Sequence, residues 1–447
     1  MKYPHNHRHI LRIALPSILS NITVPLLGLA DLTIVGHLGS PAYIGAIAIG
    51  STIFNMIYWI FAFLRMGTSG MTSQAYGAGQ KTEIQHLLLR SLAASLLVAL
   101  AVLILQTPIL KIALHFLSPT PAVHSLASDY FRICVWGAPA VLGLYSLTGW
   151  FIGLQEAKYP LYVAVIQNIV NIAASLLFVF VLHAGVRGVA AGTVIAQYCG
   201  LLLSLILAFK TWQKHQLSAL ADHRAIFRTS ALRRFFTVNR DIFLRTLCLV
   251  SVTLYFTSSG AQRGEIILAV NALLMQYFTL YSYFMDGFAF AGEALSGQCA
   301  GANDRTKLQS VVRDLFLWGG GVALLFTLFY AIAGSGLLGL LTNEIQVIRA
   351  AGPYLPWAIA IPFAGLATFT WDGVFIGLTA TRYMLISMSS AMLVFFSSYY
   401  LLSPYFANHA LWLAFLLYLI TRGAVQHLLY QKKILSLRNN PNLTLRQ

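Results

Sequence analysis

What most constrains this chain is the recurrence of apolar stretches long enough to cross a hydrocarbon layer, divided by short breaks of charge, Gly and Pro. A span needs about 20 mostly apolar residues. Runs of that kind fall near 10–35, 44–75, 86–112, 124–151, 157–182 and 186–209, and again near 240–262, 266–298, 308–335, 346–377, 381–403 and 407–430. In hydrocarbon every backbone N–H and C=O must be satisfied within its own segment, so each run is predicted to be a helix. With 58% hydrophobic and only 9% charged residues, against about 25% charged in soluble domains, a soluble fold is excluded. The expectation is an all-α integral membrane protein of twelve transmembrane helices in two pseudo-symmetric six-helix lobes.

Lys and Arg are retained on the cytoplasmic side of a membrane. With the N-terminus inside, 23 basic residues fall on inner segments and four (Lys111, Arg187, Arg263 and Arg349) on the other side. One helix more or fewer would scramble this alternation, so it supports twelve spans with both termini cytoplasmic. The formal charge of +16 does not indicate nucleic acid, because the basic residues lie between apolar runs and are not gathered on one soluble face. Cys134, Cys199, Cys248 and Cys299 sit inside apolar runs without metal-site spacing and read as packing residues. Lys2, Arg8 and Arg12 precede the first run as in a secretion signal, but no small-residue cleavage site follows, so it is read as a retained span. His5, His7 and His9 suggest a metal site, against which stands the simpler reading of a solvated cytoplasmic tail.

The chain divides into an N-terminal lobe over 1–209, a basic cytoplasmic linker over 210–239, a C-terminal lobe over 240–431 and a cytoplasmic tail over 432–447. At an offset of 224 residues, Phe151-Ile152-Gly153-Leu154 with Lys158-Tyr159 meets Phe375-Ile376-Gly377-Leu378 with Arg382-Tyr383. The same offset carries Gln74, Gly77 and Lys81 onto Gln298, Gly301 and Arg305. Six spans per repeat give both halves the same orientation, related by an axis along the membrane normal. Two such lobes suit alternating access.

Several motifs resemble one transporter family. They are Pro16 in an early Leu-Pro, Val24-Pro25-Leu26-Leu27-Gly28-Leu29-Ala30-Asp31, Val35-Gly36-His37-Leu38-Gly39, and Arg65-Met66-Gly67-Thr68. The second half adds Asn239-Arg240-Asp241, Asp286-Gly287-Phe288-Ala289 before Glu293, Trp371-Asp372-Gly373, and Asn408-His409-Ala410-Leu411-Trp412. Together they resemble the MATE transporters, and within them the DinF branch, over essentially the whole chain. The resemblance implies multidrug or toxic-compound export driven by a proton or sodium gradient. It also implies a bacterial cytoplasmic membrane, no cofactor beyond the coupling ion, small amphiphilic cationic substrates, lipid as surroundings, and a monomer.

A carboxylate inside a span is costly enough to be a functional hypothesis by default. Asp31 leads, on a first helix weakened by Pro16, Pro25 and Gly28. In the DinF pattern this aspartate is accompanied by polar groups that fall here on Asn171 and Thr193. The family's second acid would fall at Ser175, so any proton site must rely on Asp31. For Asn171 and Thr193, interhelical packing competes with a role in coupling. Asp286 and Glu293, seven apart on one helical face, and Asp372 are the C-lobe acids, with Arg65 at matching depth in the other lobe. They define a candidate gate in which Arg65 pairs with Asp286 or Asp372. Ion pairing within one lobe is the competing expectation. Tyr58, Met66, Tyr255, Met275 and Tyr281 are candidate cavity residues for amphiphilic cations.

Sodium-coupled relatives of the NorM type carry acids within helix 7. The corresponding core here, 243–260, has none, which favours protons and leaves sodium as the alternative. A lipid-linked oligosaccharide flippase of the same superfamily is the other alternative. Such flippases line their cavity with several basic residues, and Arg65 and Arg132 are the only ones the sequence places inside spans. An enzyme is not expected: neither paired aspartate motifs nor a Gly-rich nucleotide loop is present.

Overall fold

The computed structural model describes residues 6–36, 40–217 and 226–435, and every regular element in them is helical. In the first half these are α1 (Asn6–Gly36), α2 (Pro41–Ile60), α3 (Phe63–Gly77), α4 (Lys81–Ile104), α5 (Gln106–Leu117), α6 (Pro121–Cys134), α7 (Ala138–Gly153), α8 (Lys158–Leu176) and α9 (Gly185–Lys214). The second half holds α10 (Thr229–Ala261), α11 (Glu265–Gly301), α12 (Arg305–Leu341), α13 (Ile345–Ala351), α14 (Leu355–Gly377) and α15 (Thr381–Leu429). Several runs are broken into two pieces: α2 with α3, α4 with α5, α6 with α7, and α13 with α14. Proline opens several of the pieces, as at Pro41 and Pro121, where the ring's missing N–H costs nothing.

Among the described residues, ten helices are long and apolar enough to cross a membrane. One of them, Thr381–Lys432, is two spans joined at Ala407, whose φ of 48° and ψ of −125° interrupt the helix three residues after Pro404. With α1 the total is twelve, and the break falls where the sequence separates its last two runs. Apolar side chains such as Ile332, Leu340 and Phe116 face outward, as lipid contact requires.

The 224-residue repeat extends to the backbone. Left-handed residues close helices at Gly79 and Asn303, at Gln155 and Thr379, and at His183 and Ala407, each pair separated by that offset. Two close helix approaches recur as well. A Cβ on Gly149 would stand 2.3 Å from the Arg65 carbonyl oxygen, and one on Gly373 would stand 2.2 Å from that of Ala289. One turn on, Gly153 meets Ser69 O and Gly377 meets Glu293 O. Only glycine lets α7 lie on α3, or α14 on α11, this closely.

The chain forms two compact units, Leu19–Arg234 and Met1–Ile18 with Phe235–Gln447. This departs from a lobe boundary at 209 and 240, because the first turns of α1 are built into the second unit. There Asn6 donates to Ser310 Oγ and Asp314 Oδ2 at 3.1 Å each, and Gly287 leaves room for Ile18 and the Ala14 carbonyl. His7 Nδ1 accepts from Trp318 Nε1 at 3.1 Å, which engages one of the three N-terminal histidines; His5 lies outside the described residues. The linker is shorter than its sequence reading, since α9 runs to Lys214 and α10 starts at Thr229; residues 218–225 and 436–447 lie outside the described residues.

Each unit has its own core. In Leu19–Arg234 it centres on Ile47, Phe54, Tyr130 and Phe131. In the other it is aromatic: Tyr277 and Tyr330 stack at 4.8 Å, and each hydroxyl donates to a backbone carbonyl, of Gly334 and Tyr277 respectively.

Candidate functional site

Asp31 is buried on α1, which stays helical through Pro16 and Pro25. Asn171 of α8 and Thr193 of α9 are close polar neighbours of its carboxyl, so the three residues singled out from the sequence are brought together. Asn171 Nδ2 donates to Thr193 Oγ1 at 3.1 Å, and that hydroxyl spends its own proton on the Val189 carbonyl at 3.0 Å. Ser175, fully buried, lies one turn beyond Asn171 on the same face of α8. It stands against Gly192, where an added Cβ would come within 2.6 Å of its Oγ.

The electrostatics of this pocket follow from what each atom lacks. Asp31 Oδ1, Asn171 Oδ1 and Ser175 Oγ are buried without a hydrogen-bond partner among the described residues. Two of the three can only accept when Asp31 is ionised, so the pocket holds acceptors in excess of donors. A buried acceptor left unmatched costs about 1–3 kcal/mol, and more if charged. The arrangement is therefore relieved by a proton or another small cation. Neighbouring helices supply Tyr130 and Cys134 within electrostatic range of Asp31.

In the second unit the structure answers part of the gate expectation differently. Asp372 of α14 is buried and bonded within its own unit: Oδ2 accepts from Arg245 of α10 and from Arg422 of α15, and Oδ1 accepts from Gln426 Nε2 at 2.8 Å. Both carboxylate oxygens are engaged there, which is the within-lobe ion pairing that competed with an Arg65 partnership. Arg245 and Arg422 are themselves buried within helices, so the view that Arg65 and Arg132 alone are basic inside spans is corrected. Counting Arg245 with the linker and Arg422 with the inner segments hid them. Their signal was a lone Arg within an apolar run, as in Asp241-Ile242-Phe243-Leu244-Arg245 and Leu419-Ile420-Thr421-Arg422. Glu293 is fully buried on α11, Asp286 is half-buried one face-repeat earlier, and Arg65 is half-buried on α3 beside Tyr145.

Of the cavity candidates, Tyr281 is corrected. It is fully buried in the aromatic core against Phe326 and Phe369, with its hydroxyl donating to the Pro362 carbonyl at 2.8 Å. Met275 and Tyr255 pack against that same core while remaining partly exposed, Tyr255 among Phe395, Phe396, Tyr399 and Tyr400. Tyr58 stacks on Phe54 at 5.7 Å with its hydroxyl buried and unmatched among the described residues, and Met66 is half-buried on α3.

Comparison with known proteins agrees with this architecture. The MatE family model matches residues 16–177 and again 242–401, one match per half of the chain. DNA damage-inducible protein F of Escherichia coli (strain K12) is 40% identical over 411 residues, covering 92% of this chain and 89% of that protein. The probable multidrug resistance protein NorM of Rhizobium meliloti (strain 1021) is 23% identical over 367 residues, covering 79% of this chain and 77% of the relative. A crystal structure of MATE in the bent conformation superposes with a TM-score of 0.86 at 20% identity, covering 97% of this chain and 96% of the other. With both halves matched and so close a relative along nearly its whole length, the chain belongs to the MATE family, in its DinF branch, and is a multi-pass membrane transporter and not an enzyme.

Proposed function

We propose that this protein exports small amphiphilic cations from the cytoplasm in exchange for a proton bound at Asp31, by alternating access between its two helical lobes. The observation that carries the reading is the buried set of Asp31, Asn171 and Ser175 oxygens without hydrogen-bond partners among the described residues. A proton on Asp31 cancels the charge and turns one acceptor into a donor, so occupancy of the pocket and its electrostatic strain are coupled. Asn171 and Thr193 hold the carboxyl in place through α8 and α9. The multidrug wording in the name of the NorM relative supports the export of drug-like compounds. The excess of basic residues on inner segments supports a bacterial cytoplasmic membrane with both termini inside.

The test is efflux of a fluorescent cation from proteoliposomes under an imposed proton or sodium gradient, with Asp31→Asn in parallel. Proton-driven efflux that the variant lacks is the expected result. Drive by sodium alone would reassign the coupling ion, and unchanged transport by Asp31→Asn would remove that residue from the mechanism.

A further inference from the structure

Within the first unit, α5 and α6 line an open cavity of about 610 Å³ whose rim includes the exposed side chains of Lys111, His115, His124 and Arg132. None of these four is paired with an acidic side chain among the described residues. The one acid on α6, Asp129, is held elsewhere by Arg187 at 2.8 Å. Leu114 and Phe131 form an apolar floor. Lys111 lies about 9 Å back from the end of α5 and Arg132 about 16 Å in from the start of α6, by the helical rise. Arg132 thus sits within a span and Lys111 beyond the end of one, at the end of the bundle that the positive-inside count assigns to the outer side.

The repeat shows that the fold does not require them. At the 224 offset the four positions are Ser335, Gly339, Ile348 and Pro356 in the second half, none of them charged. An unpaired Arg inside a span asks for a partner, and the cavity presents a cationic rim above an apolar floor.

We infer that this cavity binds the phosphodiester headgroup of an anionic phospholipid in the outer leaflet, with Arg132 and Lys111 on the phosphate and the glycerol and upper acyl carbons against Leu114 and Phe131. Guanidinium and ammonium groups are suited to phosphate oxygens. The apolar floor, on a helix that also exposes Ile112 and Phe116, favours a lipid over a free anion.

The full-length protein, delipidated in detergent, would be titrated by native mass spectrometry with phosphatidylglycerol, phosphatidylethanolamine and inorganic phosphate. Selective retention of one equivalent of phosphatidylglycerol, not displaced by millimolar inorganic phosphate, is expected. A Lys111→Gln/Arg132→Gln variant should hold that equivalent about thirtyfold more weakly, while the charge-preserving Lys111→Arg/Arg132→Lys variant keeps it and reports on folding. Equal retention by the Gln variant, equal binding of the zwitterionic lipid, or displacement by inorganic phosphate would each overturn the assignment. The last two readouts need only the wild-type protein.

Discussion

Arg245 and Arg422 both donate to one oxygen of Asp372, Oδ2, so a single buried carboxylate serves two buried guanidiniums on different helices. Neutralising Asp372 would leave two like charges facing each other, and removing one side of a buried pair costs about 3–5 kcal/mol. Removing Arg422 instead leaves a one-to-one pair with Arg245, at the expense of about 1.5–3 kcal/mol for a charged hydrogen bond. Asp372→Asn is therefore expected to destabilise the protein more than Arg422→Gln in thermal unfolding in detergent. Equal losses would mean that Asp372 is not a shared counter-ion.

That cluster also shows what could be read beforehand. Twelve spans and the repeat were legible because lipid imposes length and periodicity on every segment, and the kink at Ala407 fell between two apolar runs. Asp31 was legible as a carboxylate stranded in an apolar run, whereas Asn171 and Thr193 came only with the family resemblance. The partners of Asp372 were not, because loop-charge counting treats Arg422 as an interface residue, and only packing places it beside a helix fifty residues away. Tyr281 misled for a related reason: an aromatic in a span looks the same whether it lines a cavity or, as here, fills a core with its hydroxyl on Pro362.

The glycine approaches give a paired test of the repeat. At Gly149 and Gly373 an added methyl meets a backbone carbonyl at 2.3 and 2.2 Å, and backbone cannot swing aside as a side chain would. Overpacking of this kind costs about 1–3 kcal/mol, and Gly149→Ala and Gly373→Ala should lower the midpoint of thermal unfolding to a similar degree. Gly320 lies mid-helix in α12 with nothing within 4 Å of its Cβ position, so Gly320→Ala should be neutral or stabilising by up to about 1 kcal/mol. A silent Gly149→Ala would show that α3 and α7 can separate.

At the C-terminal end of α9, His215 packs edge-on against Tyr76 at 5.8 Å. Burial, with Lys214 and Lys81 nearby and Glu156 opposing them, holds its imidazole below the ordinary value of 6.5. The folded protein thus refuses a proton that the unfolded chain accepts. The stabilisation is full above about pH 6.5 and declines as pH falls toward the folded value. His215→Phe keeps a ring against Tyr76 and removes the titration. Its unfolding midpoint should fall less than that of the wild type between about pH 7 and pH 5.5; parallel curves would remove His215 from the acid response.

Asp31 separates stability from function. The carboxylate sits where Asn171 Oδ1 and Ser175 Oγ also lack hydrogen-bond partners among the described residues, and an amide of nearly the same shape brings two N–H groups and no charge. Asp31→Asn should therefore stabilise the fold by about 1 kcal/mol, the worth of one hydrogen bond gained without a buried charge, while gradient-driven efflux is lost. Residues kept for function at the expense of stability behave in this way, whereas a structural aspartate held by its neighbours would lose stability and transport together. Thermal unfolding and proteoliposome efflux on the same preparation distinguish the two. A lowered midpoint in Asp31→Asn would make the pocket a packing feature and leave the coupling site to be sought on other helices.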